Sequence, residues 1–192
     1  MSAAFHRMLA IVGPLLALLS VAPNSAVAQD LPPAVLPGDV TVASLMRDTI
    51  NPSSRTLWRA VSYTITAEGT TETVPTTDAD WQALRAEAEA LMRAATLLML
   101  PTLKVGDLQA AADRPGFQYT PAEIERLRVQ QTDAWRSYAQ QLQTTTLQLM
   151  KTIEQRDVNA YVEAGPPINQ ACEGCHGQFW YRPPNMNGAT GR

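Results

Sequence analysis

The chain has 192 residues, 45% of them hydrophobic, with 15 Lys and Arg against 18 Asp and Glu and only two cysteines. Its net charge of −3 comes without a basic cluster, which argues against nucleic acid or anionic lipid as a partner. The first residues read as a secretory signal peptide: His6 and Arg7 start it, Met8 to Ala22 is an almost unbroken apolar run, and Ala26-Val27-Ala28 supplies a small-residue cleavage pattern. Cleavage after Ala28 would leave 164 residues, one domain by length, with 14 cations against 18 anions. No later apolar stretch is long enough to span a bilayer, so the expected address is the periplasm.

After an irregular lead-in at 29–40, rich in proline, the spacing predicts a first helix from near Thr41. Val42, Leu45, Met46, Thr49, Ile50, Ser53, Leu57 and Val61 keep a three-four period across Pro52, so one kinked helix is expected rather than two. Thr64 to Thr77 reads as a connection. The alternation around Tyr63–Thr66 resembles a strand, but no partner for it stands out. A second helix opens with Thr77 as N-cap and Asp80 three residues on, and runs along Trp81, Leu84, Ala88, Leu91, Met92, Ala95, Leu98 and Met99 to Pro101. Residues 101–120 form a long loop, with a turn of helix expected around Leu108 to Ala112. Thr120-Pro121-Ala122-Glu123 then combines an N-cap, a proline at the first helical position and a capping-box acid. The third helix, striped by Ile124, Leu127, Gln131, Trp135, Tyr138, Leu142, Thr145, Leu149 and Thr152 at near-heptad spacing, is expected to continue unbroken to about Arg156. Asp157 to Ala164 reads as a short turn, and Gly165-Pro166-Pro167 as a break that launches the last helix. Regular structure ends at Pro183-Pro184, with a loose tail over 183–192. The fold class is therefore all-α: an antiparallel four-helix bundle over 41–182.

The last helix carries Cys172-Glu173-Gly174-Cys175-His176, a Cys-x-x-Cys-His run with the spacing of c-type haem attachment. Two thiols can bond covalently to one haem edge while the adjacent imidazole ligates the iron. On a helix the three fall at i, i+3 and i+4 and share a face. Zinc needs about four donors, and here there are three, since His6 is the only other histidine and lies in the leader. A thioredoxin-type dithiol would want strands alternating with helices around the motif, which are lacking. One covalent haem c is the expected cofactor.

A haem motif at the C-terminal end of an exported four-helix chain resembles the class II c-type cytochromes, the cytochrome c-prime family. The specific local match is Ala171-Cys172-Glu173-Gly174-Cys175-His176-Gly177-Gln178-Phe179, and Trp180 stands where the family often has arginine. The resemblance implies one of two behaviours. High-spin members keep a five-coordinate iron in an apolar pocket and bind small gases. Low-spin members place a methionine of the first helix on the sixth position and act as electron carriers. Family members often pair through their first two helices, which implies a homodimer, although no apolar surface in this sequence demands one.

With no histidine besides His176 beyond the leader, a methionine thioether is the alternative sixth ligand. An up-down-up-down bundle brings the start of the first helix and the end of the second beside the haem motif. That selects Met46 and Met99, sets Met150 at the opposite end and Met92 midway, and leaves Met186 in the tail. Met99, inside Leu97-Leu98-Met99-Leu100, reads as core filling, whereas the resemblance agrees with Met46. The expected iron ligands are therefore His176 and Met46, with Cys172 and Cys175 as attachment points. Arg47 reads as a solvated neighbour of Met46, and Phe117 and Tyr119 as loop aromatics able to cover the haem. The leading function is one-electron transfer to a redox partner protein, an electron carrier rather than an enzyme. A gas-binding haem protein and a Cys172/Cys175 dithiol oxidoreductase are the alternatives.

Overall fold

The structure is a computed structural model that describes residues 40–108 and 116–183. The leader expected over 1–28, the lead-in to residue 39, the turn expected around Leu108 to Ala112 beyond its first residue, and the tail from 184 lie outside the described residues. Among those described, no helix is long and apolar enough to cross a membrane.

Thr41 caps the first helix through a reciprocal pair: its hydroxyl accepts the Ser44 N–H at 3.0 Å, and the Ser44 hydroxyl accepts the Thr41 N–H at 2.9 Å. The helix runs as α1 (Val42–Leu45), a π-helical turn (Met46–Ile50) and α2 (Asn51–Arg59) without interruption. Pro52 therefore does not split it. The chain absorbs the missing N–H in a wider turn just upstream, where the Asn51 N–H donates to the Met46 carbonyl.

The connection that follows is a hairpin, which corrects the expectation of an unpartnered stretch. Strand β1 (Ser62–Thr66) pairs antiparallel with β2 (Gly69–Thr73), with Tyr63 opposite Glu72 and Thr64 opposite Thr71. Thr70, Thr71 and Thr73 are β-branched and suit a strand as well as a linker. Gly69 takes φ +139°, a conformation that disfavours side chains, and so admits the two-residue turn at 67–68. The hairpin is almost wholly exposed.

Helix α3 (Asp78–Leu98) begins at the Thr77–Asp80 capping box and buries Trp81, Leu84, Ala88, Leu91, Ala94, Ala95 and Leu98. The segment after Pro101 returns to the first helix. Leu103 and Val105 are buried, and the carbonyls of Lys104 and Val105 accept the N–H groups of Val42 and Ala43 at 2.8 and 2.9 Å. Two donors that a helix start leaves unserved are satisfied in this way.

The third helix is two helices, contrary to expectation: α4 (Pro121–Gln130) and α5 (Thr132–Gln155), divided at Gln131 with φ −123° and ψ 46°. The Thr132 hydroxyl donates to the carbonyls of Arg128 and Val129, replacing backbone bonds at the break. Arg156 closes α5 in the left-handed region, with its N–H on Ile153 and that of Asp157 on Thr152, a Schellman arrangement. The last helix corrects a third expectation. Helix α6 (Val158–Phe179) starts at an Asp157 cap and passes through Pro166 and Pro167 instead of starting after them. Both prolines fit helical φ, and the carbonyls they leave unserved belong to exposed Val162 and Glu163.

Helix α2 packs on α3, α3 on α5, and α5 on α6. Their shared core includes Leu57, Leu91, Leu98, Trp135, Leu149, Ile168 and Phe179. The protein is thus mostly helical, as the all-α reading requires, with one small hairpin added.

Candidate functional site at the Cys-x-x-Cys-His helix

From about four turns along α6 onward, Cys172, Cys175 and His176 are half-buried on one face, flanked by fully buried Ala171 and Phe179. They open on a cavity of about 40 Å³. The first helix contributes Met46 and Ile50 to its wall and α3 contributes Leu98. Trp135, Tyr138, Ala139 and Leu142 come from α5. Of the expected site residues, then, Met46, Cys172, Cys175 and His176 all line one space. Met92, Met99 and Met150 do not line it. Met99 is the half-buried C-cap of α3, and Met186 lies outside the described residues.

Local packing accounts for this wall. The Trp135 indole N–H donates to the Leu98 carbonyl at 2.7 Å, a buried bond that ties α5 to the end of α3 beside the cavity. Trp135 also meets Phe179 edge-to-face at 5.0 Å, and Tyr138 meets the same ring at 6.3 Å. Gly174 lies under Tyr138: a Cβ there would sit 2.8 Å from Tyr138 Cε1, too close for any side chain without a shift. The second x of the Cys-x-x-Cys run is therefore small for a packing reason.

Burial dominates the titration of the motif. It pushes the Cys172 thiol up to about 11, aided by the Glu173 carboxylate, and the Cys175 thiol up to about 12, aided by Cys172. It also holds His176 below the ordinary imidazole value, against the opposing pull of Glu173. At neutral pH the thiols are protonated and the imidazole is neutral. Redox-active dithiols need the opposite, a depressed thiol near a helix N-terminus. These thiols lie in the last two turns of α6, which weighs against the dithiol reading. Among the described residues no three His, Cys, Asp or Glu side chains come together to hold a metal ion.

The donor chemistry fits haem c: two thiols and a neutral imidazole on one helix face, a thioether across an apolar cavity, and no charged side chain on the wall besides these groups. The volume, however, is well below the ~300–1,000 Å³ of a formed ligand pocket. A macrocycle held here must part the wall rather than enter a ready slot.

The remaining candidates take other places. Arg47 is exposed and makes a bidentate pair with Asp48 at 2.7 Å, as the solvated reading expects. Phe117 is exposed against Tyr181, and Tyr119 donates its N–H to the Trp180 carbonyl at 2.9 Å. Neither lines the cavity; the segment is stitched to the end of α6 instead. Sequence reasoning placed Trp135, Tyr138 and Leu142 on a stripe without assigning them to the site, and missed Ala139. The available signal was the i, i+4 spacing of Trp135 and Ala139, one turn apart.

Compared with known proteins, the chain matches no family model, no curated protein and no solved structure.

Proposed function

We propose that this protein is an exported c-type cytochrome of the class II kind. It would carry one haem held through Cys172 and Cys175, with His176 and Met46 as the side chains able to hold its iron, and would transfer single electrons to a partner protein. The observation that carries the reading is the convergence of Met46 from the first helix with Cys172, Cys175 and His176 from the last on one apolar cavity. The sequential packing of α2, α3, α5 and α6 supports an antiparallel four-helix bundle as the frame.

When bound, the haem supplies a one-electron couple. The chain's residues hold, orient and shield it. Cys172 and Cys175 anchor it to α6. His176, kept neutral by burial, presents a free nitrogen lone pair. Ile50, Leu98, Ala139 and Leu142 exclude water, and the Met46 thioether favours the reduced state and raises the potential. The same apolar wall is the observation that favours a second reading, a five-coordinate haem protein that binds nitric oxide or carbon monoxide.

Acidified-acetone extraction of the exported protein tests the attachment. The reading expects haem to stay with the polypeptide; haem that partitions into the solvent, or its absence, sinks it.

A further inference from the structure

We propose that Pro52 is a positioning residue: it forces the π turn at Met46–Ile50, and that turn rotates Leu45 into the core and holds Met46 at the rim of the cavity it shares with His176. In an α-helix the N–H of residue 52 would serve the Asp48 carbonyl. Proline has no N–H, and its ring collides with that carbonyl. The chain responds by inserting one residue into the turn, seen in the Asn51 N–H bonding back five residues to Met46.

The burial pattern records the inserted residue. Leu45 and Ile50 are five apart, yet they are 7% and 6% exposed. At 3.6 residues per turn an α-helix would set them about 140° apart, one in and one out. A five-residue turn brings them into line. Downstream, Ile50, Ser53, Ser54 and Leu57 keep ordinary α phase and are all buried. If that phase were carried back without the insertion, Met46 would fall within about 40° of Ile50 at the centre of the buried stripe, and Leu45 would point away from it. The structure has the reverse order: Leu45 is buried, and Met46 is half-buried on the cavity wall. The Val42 and Ala43 N–H groups, bonded to the carbonyls of Lys104 and Val105, hold the same phase, so straightening the turn must shift those two bonds as well.

The consequence for the iron rests on the reading of Met46 given above, whereas the rotation itself does not. Two readouts on holoprotein keep them apart. Leu45→Cys introduces the only thiol not committed to the motif, and its alkylation by iodoacetamide reports the rotation. Pro52→Ala in that background is expected to speed alkylation by at least about tenfold as Leu45 turns outward. The spectrum of Pro52→Ala alone is expected to move from low-spin toward high-spin. Equal alkylation rates with and without Pro52 overturn the proposal. Should Leu45→Cys not fold, the Leu45–Ile50 side-chain NOE in reduced protein takes its place: it is lost in Pro52→Ala if the proposal holds, and its persistence overturns it. Faster alkylation or a lost NOE, with a spectrum that neither Pro52→Ala nor Met46→Ala alters, supports the rotation and removes Met46 as the ligand.

Discussion

The Tyr161 hydroxyl donates to the backbone carbonyl of Leu57 at 2.7 Å in buried surroundings, joining α6 to the end of α2 across 104 residues. Leu57 lies in the last turn of its helix, where its carbonyl otherwise accepts the Ala60 N–H at a long 3.4 Å, and the tyrosine adds a shorter bond as a distant cap. Trp81 meets the same ring edge-to-face at 6.3 Å.

Tyr161→Phe keeps the ring and loses the bond. We expect a loss of about 0.5–1.5 kcal/mol by urea unfolding. Burial raises the Tyr161 hydroxyl above its ordinary value of 10.0. A raised group contributes stability below its unfolded pKa and loses it as pH climbs toward the folded one. Wild type should therefore weaken more steeply than Tyr161→Phe above pH 10, and parallel curves there would contradict the assignment.

Glu123 bears on the opposite end of the pH scale. Its carboxylate accepts the Thr120 N–H at 2.8 Å and an Arg182 N–H at 2.6 Å, and the Thr120 backbone bond chiefly holds it below the usual 4.5. A depressed acid contributes stability above its unfolded pKa and loses it as pH falls through the folded one. Glu123→Ala should cost about 0.5–2 kcal/mol at neutral pH. The difference from wild type should shrink below pH 4.5, as thermal melts across the acid range will test.

Glu125 and Arg128 form a nearly buried pair at 2.6 Å, with side chains 14% and 7% exposed, and Glu125 also accepts the Val105 N–H at 2.9 Å. Removing the acid alone strands a buried guanidinium whose Nε already has no hydrogen-bond partner among the described residues. Glu125→Ala is expected to cost about 3–5 kcal/mol, while a double replacement by apolar residues of similar size should recover most of it. A cost below about 1 kcal/mol, the value of a surface pair, would count against the burial argument.

The sequence makes the capped starts legible because their signals are local. Thr41, Thr77 and Thr120 each sit three residues before a side chain that returns the bond. Features set by tertiary contacts are less visible. Pro166-Pro167 reads as a break, yet its unserved carbonyls lie on exposed residues, where a helix tolerates them. Gln131 interrupts what looks like one stripe, and the Thr132 hydroxyl shares its one proton between the Arg128 and Val129 carbonyls left at the break. The hairpin was hidden by threonine, which serves linkers and strands alike. For the site, elimination and bundle order left Met46 and Met99, and the resemblance favoured Met46, which lines the cavity while Met99 does not. Ala139 and the Gly174–Tyr138 contact depend on how α5 meets α6, which no local spacing encodes.

Met99 and Met46 offer a matched contrast, since both are half-buried but only Met46 lines the cavity. Met99→Ala should act through packing alone, at the low end of the ~2–5 kcal/mol typical of buried methionines, and leave any haem spectrum unaltered. A spin-state change in Met99→Ala would move the ligand assignment to the end of α3.

The absorption spectrum of purified holoprotein, recorded for wild type and Met46→Ala, tests the central proposal most directly. A low-spin His/Met spectrum is expected in wild type and a high-spin one in Met46→Ala, which should also gain carbon monoxide binding as the sixth position opens. A wild type without haem bands would contradict the cofactor. A high-spin wild type, or a Met46→Ala spectrum identical to a low-spin wild type, would contradict the His176/Met46 pair.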